Sequence, residues 1–415
     1  MKIWYISAYD QPRGQSRRTY EFSKELVRLG HEVTFFTNSY CHFTKKNYLK
    51  LDESWRVETI DSIRIVWMKT LTYKGNGIRR MLNMFDNARQ VIYISKLVDG
   101  RPDVILGPSV PILTGWAAYR LSRRYEVPFV FEVRDVWPAA LVDMGALSKL
   151  NPIYYIFRYI EKFLYKYSAK ISSTLPYLSQ HVASSGADPK KIEWLPNGVD
   201  LSLYPDYDYD GGVGKQLVVM YIGGFSLDHD VSTIIKAAKI LQESADNRFH
   251  FIIIGQGNRK VECLKEAQSY NLHNIEFKNS IPKNHIHTEQ LKADILLAAI
   301  TNTKSYRFGL NLNKLCGYFA SARPVVFSGN PPNNPVKEAG AGISVDAENP
   351  QAMVDALKKI YALGPKERIA MGLRGRAYAT SVLSMSVLGV RMESMLKLAV
   401  KENLFVSKAN VKIRN

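Results

Sequence analysis

The chain has 415 residues, 46% of them hydrophobic, with ordinary glycine and proline contents. That is enough apolar material for two cores, and it excludes a disordered, collagen-like or low-complexity protein. Its 56 Lys+Arg against 38 Asp+Glu give a net charge of +18, spread over both halves rather than held in a tail, and the 3 cysteines carry no CxxC spacing, which argues against a disulfide scaffold or structural zinc and suits a reducing compartment.

In chain order, Lys2–Ser7 is a short apolar run that reads as a buried strand, followed by the loop Pro12-Arg-Gly-Gln-Ser-Arg-Arg18. A helix is expected over Thr19–Leu29, with Phe22, Leu26 and Leu29 at helical spacing and Gly30 as its stop. Arg17 and Arg18 stand at its start, where the helix dipole disfavours cations; they are either solvated charge or a seat for an anion. Strands are expected at His31–Thr37, Ile63–Met68, Val104–Leu106 and Phe129–Val133, with helical stretches near 80–98 and 113–125. Glu132-Val-Arg-Asp-Val-Trp-Pro138 follows the fifth of these strands, so Arg134, Asp135 and Trp137 lie at the carboxyl edge of a sheet or form a structural ion pair with a core tryptophan. Ile153–Lys170 reads as a helix with one apolar stripe, and Arg158, Lys162, Lys166 and Lys170 recur every fourth residue as a basic edge. That edge is a solvated face or a contact for anionic lipid.

The alternation pauses at Leu195-Pro-Asn-Gly-Val-Asp200 and a polar, Gly-rich stretch suited to a linker. It restarts with strands at Leu217–Ile222, Phe249–Ile254, Ile275–Lys278 and Ile295–Ala299. Gly223-Gly224 and Gly255-Gln-Gly257 follow the first two, where glycines allow close backbone approach to a phosphate or simply make turns. Arg307–Ser328 then reads as a loop, a helix over about Leu312 to Ser321 and a buried strand at Arg323–Phe327. A loop feeding a helix N-terminus presents N–H groups and a positive dipole end, and Lys314 in the first turn adds charge for a phosphate. Leu383–Leu404 reads as a final long helix. The whole pattern predicts an α/β protein of two Rossmann-like domains facing a central cleft, with right-handed crossovers. No zinc spacing, RNP-like strand or basic arm points to nucleic acid. No run reaches ~18 apolar residues, so no membrane span is expected, and the N-terminus is too polar for a signal-peptide core.

The segment from Arg307 to Ser328 resembles the donor-binding segment of retaining glycosyltransferases of family 4, in the bacterial surface-polysaccharide branch. It matches that pattern at Gly309, Lys314, Leu315, Tyr318, Ala320, Arg323, Pro324 and Val325. It departs at Asn311 and Leu312, where Ser-Pro is expected, and at Gly317, where the family places a carboxylate that holds the ribose. The Arg-Asp-x-Trp-Pro run, Gly30-His-Glu-Val-Thr34, Leu195–Asp200, Gly329–Pro335 and Glu338–Ile343 extend the likeness over almost the whole chain. The resemblance implies the GT-B fold, divided as 1–198, 199–382 and a crossover helix with tail at 383–415. It implies a UDP-sugar donor, a lipid-linked saccharide acceptor, peripheral attachment to the anionic cytoplasmic face of the inner membrane, and transfer with retention of a hexosyl or N-acetylhexosaminyl group. No metal, other cofactor or covalent enzyme intermediate is implied. Donor contacts fall to Gly14, Gly223, Gly224, Gly255, Gly257, Arg307, Asn311, Asn313, Lys314, Leu315 and the position of Gly317. Asp135 and Arg134 would serve the reacting centre, and Arg17, Arg18 and Trp137 the acceptor. Two alternatives stay open. One is a degenerate relative, weak or inactive, acting as a partner of another transferase. The other is a different nucleotide enzyme of two-Rossmann shape, such as a sugar-nucleotide epimerase, although the first strand–helix turn lacks G-x-G-x-x-G.

Overall fold

The computed structural model describes residues 1–412 except 15, 43, 74, 76, 206–208 and 215. The chain forms two compact units, one of Met1–Pro196 with the C-terminal segment from Met385, the other Asn197–Ser384.

The first unit holds eight strands: β1 (Lys2–Ser7), β2 (Glu32–Asn38), β3 (Trp55–Ile60), β4 (Ile63–Met68), β5 (Val104–Pro108), β6 (Phe129–Val133), β7 (Lys170–Ser173) and β8 (Ile192–Trp194). Their order is β3-β4-β2-β1-β5-β6-β7-β8, all parallel except for β3 on β4. β1, β5 and β6 are nearly continuous buried runs, as strands covered by helices on both faces must be. The helix Arg18–Arg28 lays Phe22 and Leu26 on this sheet, and the long helix Met385–Lys412 adds Leu388, Met392 and Leu396 to the same core. Gly389 makes that approach possible: a Cβ there would stand 2.6 Å from Cβ of Glu25.

The second unit holds β9 (Leu217–Ile222), β10 (Phe249–Ile254), β11 (Ile275–Lys278), β12 (Ile295–Ala299), β13 (Val325–Ser328) and β14 (Gly342–Val345), all parallel, in the order β11-β10-β9-β12-β13-β14. The order reverses between β9 and β12. In such doubly wound sheets ligands bind beyond the carboxyl ends of the strands at this switch. The first unit has the corresponding switch between β1 and β5.

Four strands lie outside the sequence expectations. β3 alternates partly buried with exposed residues at a sheet edge, and β7, β8 and β14 are three or four residues long with weak apolar signals. The helix expected to reach Lys170 ends at Tyr167, and Lys170 opens β7, ion-paired with Glu402. Arg158 on that helix is held by Glu161 and faces His181, so the four-residue basic edge reduces to Lys162 and Lys166. The expected linker after Asp200 is built into the second unit, apart from 206–208 and 215, which lie outside the described residues. Tyr204 is buried, Tyr209 donates to Asp294 O at 2.9 Å, and Gly211 O accepts from Arg368 at 2.7 Å. Tyr204 joins the hydrophobic core of the second unit beside Met220 and Leu296.

Candidate active site

In the second unit, β9 delivers Tyr221 and the Gly223-Gly224 turn to the switch point. The Tyr221 hydroxyl donates to Gly224 O at 2.7 Å and accepts from Lys314 Nζ at 2.9 Å, while the ammonium sits 4.0 Å from the Tyr221 ring centroid. This is a cation–π contact reinforced by a hydrogen bond. Gly223 makes room for it, since a Cβ there would stand 2.6 Å from Lys314 Nζ. Lys314 belongs to the first turn of the helix Asn313–Ala320, and no side chain caps that turn. Burial pushes the Lys314 ammonium down to about 7. Among the described residues no carboxylate pairs with it. An uncompensated cation at an uncapped helix N-terminus is suited to an anion such as a diphosphate.

His229 lies against the same turn, with Nδ1 3.0 Å from Gly224 O and 3.3 Å from Ser226 Oγ. Burial first, then the charge of Lys314, pushes its pKa down to about 4. The ring is therefore neutral at neutral pH, with the proton on Nδ1, because a carbonyl can only accept. Asp228, next to it, is partly buried, and burial raises its pKa.

The remaining glycines of this region serve packing. A Cβ on Gly255 would meet Gly223 O at 1.8 Å, and one on Gly257 would meet Phe225 O at 2.2 Å. Their missing side chains let the loops after β9 and β10 touch backbone to backbone. Lys260 Nζ ties the same region together through Gly255 O and Lys278 O, both at 2.9 Å, and Asn279 Oδ1 at 3.1 Å. Gly224 alone of the four glycines has space at its Cβ position, with His229 Nδ1 the nearest atom at 3.4 Å.

The helix residues divide in the same way. Asn313 is exposed, whereas Asn311 Oδ1 accepts from Asn197 N at 3.1 Å. The Leu315 side chain packs in the core. Arg307 is exposed; it donates to Lys304 O at 2.7 Å and stacks on Phe308. Gly317 is buried, and a Cβ would meet the Tyr204 hydroxyl at 2.7 Å and the Gln290 amide at 2.9 Å. Tyr204 and Gln290 are joined by a buried 2.6 Å hydrogen bond that fills the place of a larger side chain. A larger side chain at Gly317 would have to displace the Tyr204 hydroxyl and the Gln290 amide.

In the first unit the switch point is occupied by charges that satisfy one another. Arg134 reaches Asp10 and Glu132, each at 2.7 Å, and Thr19 Oγ1 at 2.7 Å. Arg18 bonds Glu132 at 2.9 Å and the carbonyls of Leu195 and Pro196 at 2.7 Å. Tyr5 donates to Glu132 at 2.6 Å. The Arg134 guanidinium leads the forces that hold the Asp10 carboxyl down at about 2 against the opposing cost of burial. Arg134 and Arg18 are thus held in a buried ion-pair set, and Trp137 is buried. Arg17 pairs with Glu21 at 3.0 Å, and Gly14 sits in a turn against Gln11. Asp135 is the exposed member of the motif; its carbonyl accepts from Ser109 Oγ at 2.9 Å, which fixes the loop.

Sequence reasoning missed a cluster beyond the carboxyl ends of β1, β2 and β4. His42 stacks on Tyr73 and accepts or donates at 2.8 Å to its hydroxyl, Tyr9 lies 5.6 Å from the His42 ring, and Arg80 caps Tyr9. Each residue follows a strand end, and that position was the available signal. Among the described residues no group of three His, Cys, Asp or Glu could hold a metal, and no helix is long and apolar enough to cross a membrane.

Comparison with known proteins agrees with this architecture. The sequence model of the glycosyl transferase 4-like domain matches residues 13–198, and that of glycosyl transferases group 1 matches residues 210–377. No curated protein sequence matched. Among solved structures, sucrose-phosphate synthase from Thermosynechococcus elongatus superposes with a TM-score of 0.72 at 16% identity, covering 98% of this chain and 99% of that one. Anabaena HepE in complex with UDP and glucose gives 0.67 at 13% identity, covering 96% and 99%. WaaG, a glycosyltransferase involved in lipopolysaccharide biosynthesis, gives 0.63 at 14% identity, covering 95% and 98%. Two Rossmann-like units, each matched by a glycosyltransferase domain, define the class, and the chain belongs to the GT-B glycosyltransferases.

Proposed function

We propose that the chain is a retaining transferase of the family 4 surface-polysaccharide branch. It moves a hexosyl or N-acetylhexosaminyl group from a UDP-sugar to a lipid-linked saccharide at the cytoplasmic face of the inner membrane, in O-antigen or capsule assembly. The observation that carries the donor half is Lys314, a partly buried ammonium with a tyrosine hydroxyl and ring for company and no anion. A uridine diphosphate, of the kind bound by HepE, would supply the missing charge. As the anomeric C–O bond breaks, its electron pair leaves with UDP, and Lys314, Arg307 and the helix N-terminus stabilise the negative charge that develops. Asp135, exposed after β6, is the carboxylate assigned to the positive charge left on the sugar or to the acceptor hydroxyl.

The test is incubation of the intact protein with a panel of UDP-sugars and lipid-linked acceptors, with the product anomer read by NMR. Gly317 favours a second reading, a transferase-like partner with little or no catalysis, because the place of the ribose-holding carboxylate is filled by Tyr204 and Gln290. Absence of nucleotide-sugar binding at millimolar concentration decides for the second.

A further inference from the structure

The first unit carries an apolar groove that the donor chemistry does not use. The helices Ile78–Ile94 and Pro152–Tyr167 both pack on Ile112–Tyr125, which forms the floor between them. The cavity measures about 580 Å³ and is lined chiefly by Phe85, Tyr93, Trp116, Ile156, Phe157 and Ile160, a size and character typical of sites for small apolar ligands. Phe85, Tyr93 and Ile156 are 54%, 56% and 56% exposed, and Leu82 and Tyr159 extend the apolar surface at 50% and 70%. Soluble proteins rarely leave so much contiguous apolar surface in water without a use for it.

The rim has one sign of charge to spare. Lys96 lines the cavity and Arg120 lies 5.3 Å over the Trp116 ring. Among the described residues neither has a carboxylate partner, whereas Arg89, also at the cavity, is paired with Asp86 at 3.0 Å. An apolar slot edged by unpaired cations is complementary to a hydrocarbon chain beneath an anionic headgroup.

We propose that this groove takes the hydrocarbon chain of an anionic membrane lipid, with Lys96 and Arg120 meeting the headgroup phosphate. The inference rests on the membrane-face reading above and is independent of the donor site. Trp116 at the floor provides the probe. The intact protein should bind phosphatidylglycerol vesicles, and brominated acyl chains should quench part of its tryptophan emission. Trp116→Phe should abolish most of that quenched fraction while leaving vesicle binding unchanged. The pair Phe85→Gln and Ile156→Gln should weaken vesicle binding at least tenfold. Lys96→Gln with Arg120→Gln should remove the preference for phosphatidylglycerol over phosphatidylcholine. UDP affinity, followed in parallel by calorimetry, should be the same in all forms, so a failed donor site is told apart from a failed groove. Equal quenching in Trp116→Phe, vesicle binding without quenching, or binding indifferent to the Phe85 and Ile156 changes would each overturn the proposal. Concentration-dependent self-association broken by the same pair would overturn it too, since a second copy would then be the occupant.

Discussion

Lys314 makes a quantitative prediction about how UDP binding depends on pH. Its ammonium titrates at about 7 in the free protein, against 10.5 for an ordinary lysine, because burial strips its water. A diphosphate beside it returns the lost stabilisation and raises the pKa of the bound form. If binding restores the ordinary value, the affinity for UDP falls roughly fiftyfold between about pH 7 and pH 9, or about 2.3 kcal/mol at about 1.4 kcal/mol per decade. The sign follows from the protons: the complex holds one that the free protein has largely lost, so binding above neutrality takes a proton up. Calorimetry at about pH 8 in two buffers of different ionisation enthalpy should register uptake of close to one proton per UDP. The uracil ring and the phosphate titrate as well, so the measurement is made against Lys314→Met, which shares those contributions. That variant should bind UDP roughly ten- to a hundredfold more weakly at about pH 7, the ~1.5–3 kcal/mol of a charge-assisted hydrogen bond. A difference profile that stays flat with pH, or equal affinities for the two forms, would refute the assignment of Lys314 to the diphosphate.

Three further outcomes follow. Lys314→Met should raise the melting temperature, and more so below about pH 7 than near pH 10: the folded pKa is depressed, so the native state binds fewer protons than the unfolded chain and pays most where the lysine must be charged. A thermal scan at both pH values checks it. Gly317→Ala should destabilise by about 1–3 kcal/mol, read from the urea midpoint, because its methyl overpacks Tyr204 and Gln290, and Gly317→Glu should be worse rather than restoring a ribose contact. Asp135→Asn should lower kcat and kcat/KM together with UDP affinity unchanged, whereas Arg134→Met, which strands Asp10 and takes one of the two cations from Glu132, should cost about 3–5 kcal/mol of stability.

Both switch points were legible because strands buried on both faces announce themselves as apolar runs. Of the five strands expected in the second unit, four fall on β9 to β12 with their predicted bounds, and the one expected at Arg323–Phe327 is β13, shifted to Val325–Ser328. What the chain did not reveal was direction. Asp135 is exposed while Arg134 before it and Trp137 two residues on turn inward, because past the strand end the backbone bends and the two-residue alternation no longer applies. Nor does a glycine say why its side chain is missing. Gly223 yields space to Lys314, Gly255 and Gly257 yield it to another loop, and Gly317 yields it to a tyrosine and a glutamine. Tyr221 looked like any apolar strand residue, since its hydroxyl matters only once Lys314 is beside it. Edge strands as short as β8 carry too few residues for any period to show.

The two units treat buried charge in opposite ways, and that contrast bears on where chemistry belongs. In the first, Asp10 and Glu132 are balanced by Arg18 and Arg134, and nearly every donor in the group has an oxygen partner. Such a set is closed: a ligand that took one member would strand another, at a cost of several kcal/mol. In the second unit Lys260 is likewise content, surrounded by neutral oxygens. Lys314 is different, with one hydroxyl, one aromatic face and a neutral histidine nearby. A group held so far from its preferred state is destabilising unless something arrives to complete it. The uncompensated cation, rather than the most conspicuous cluster of charges, is therefore where an anionic donor gains most by binding.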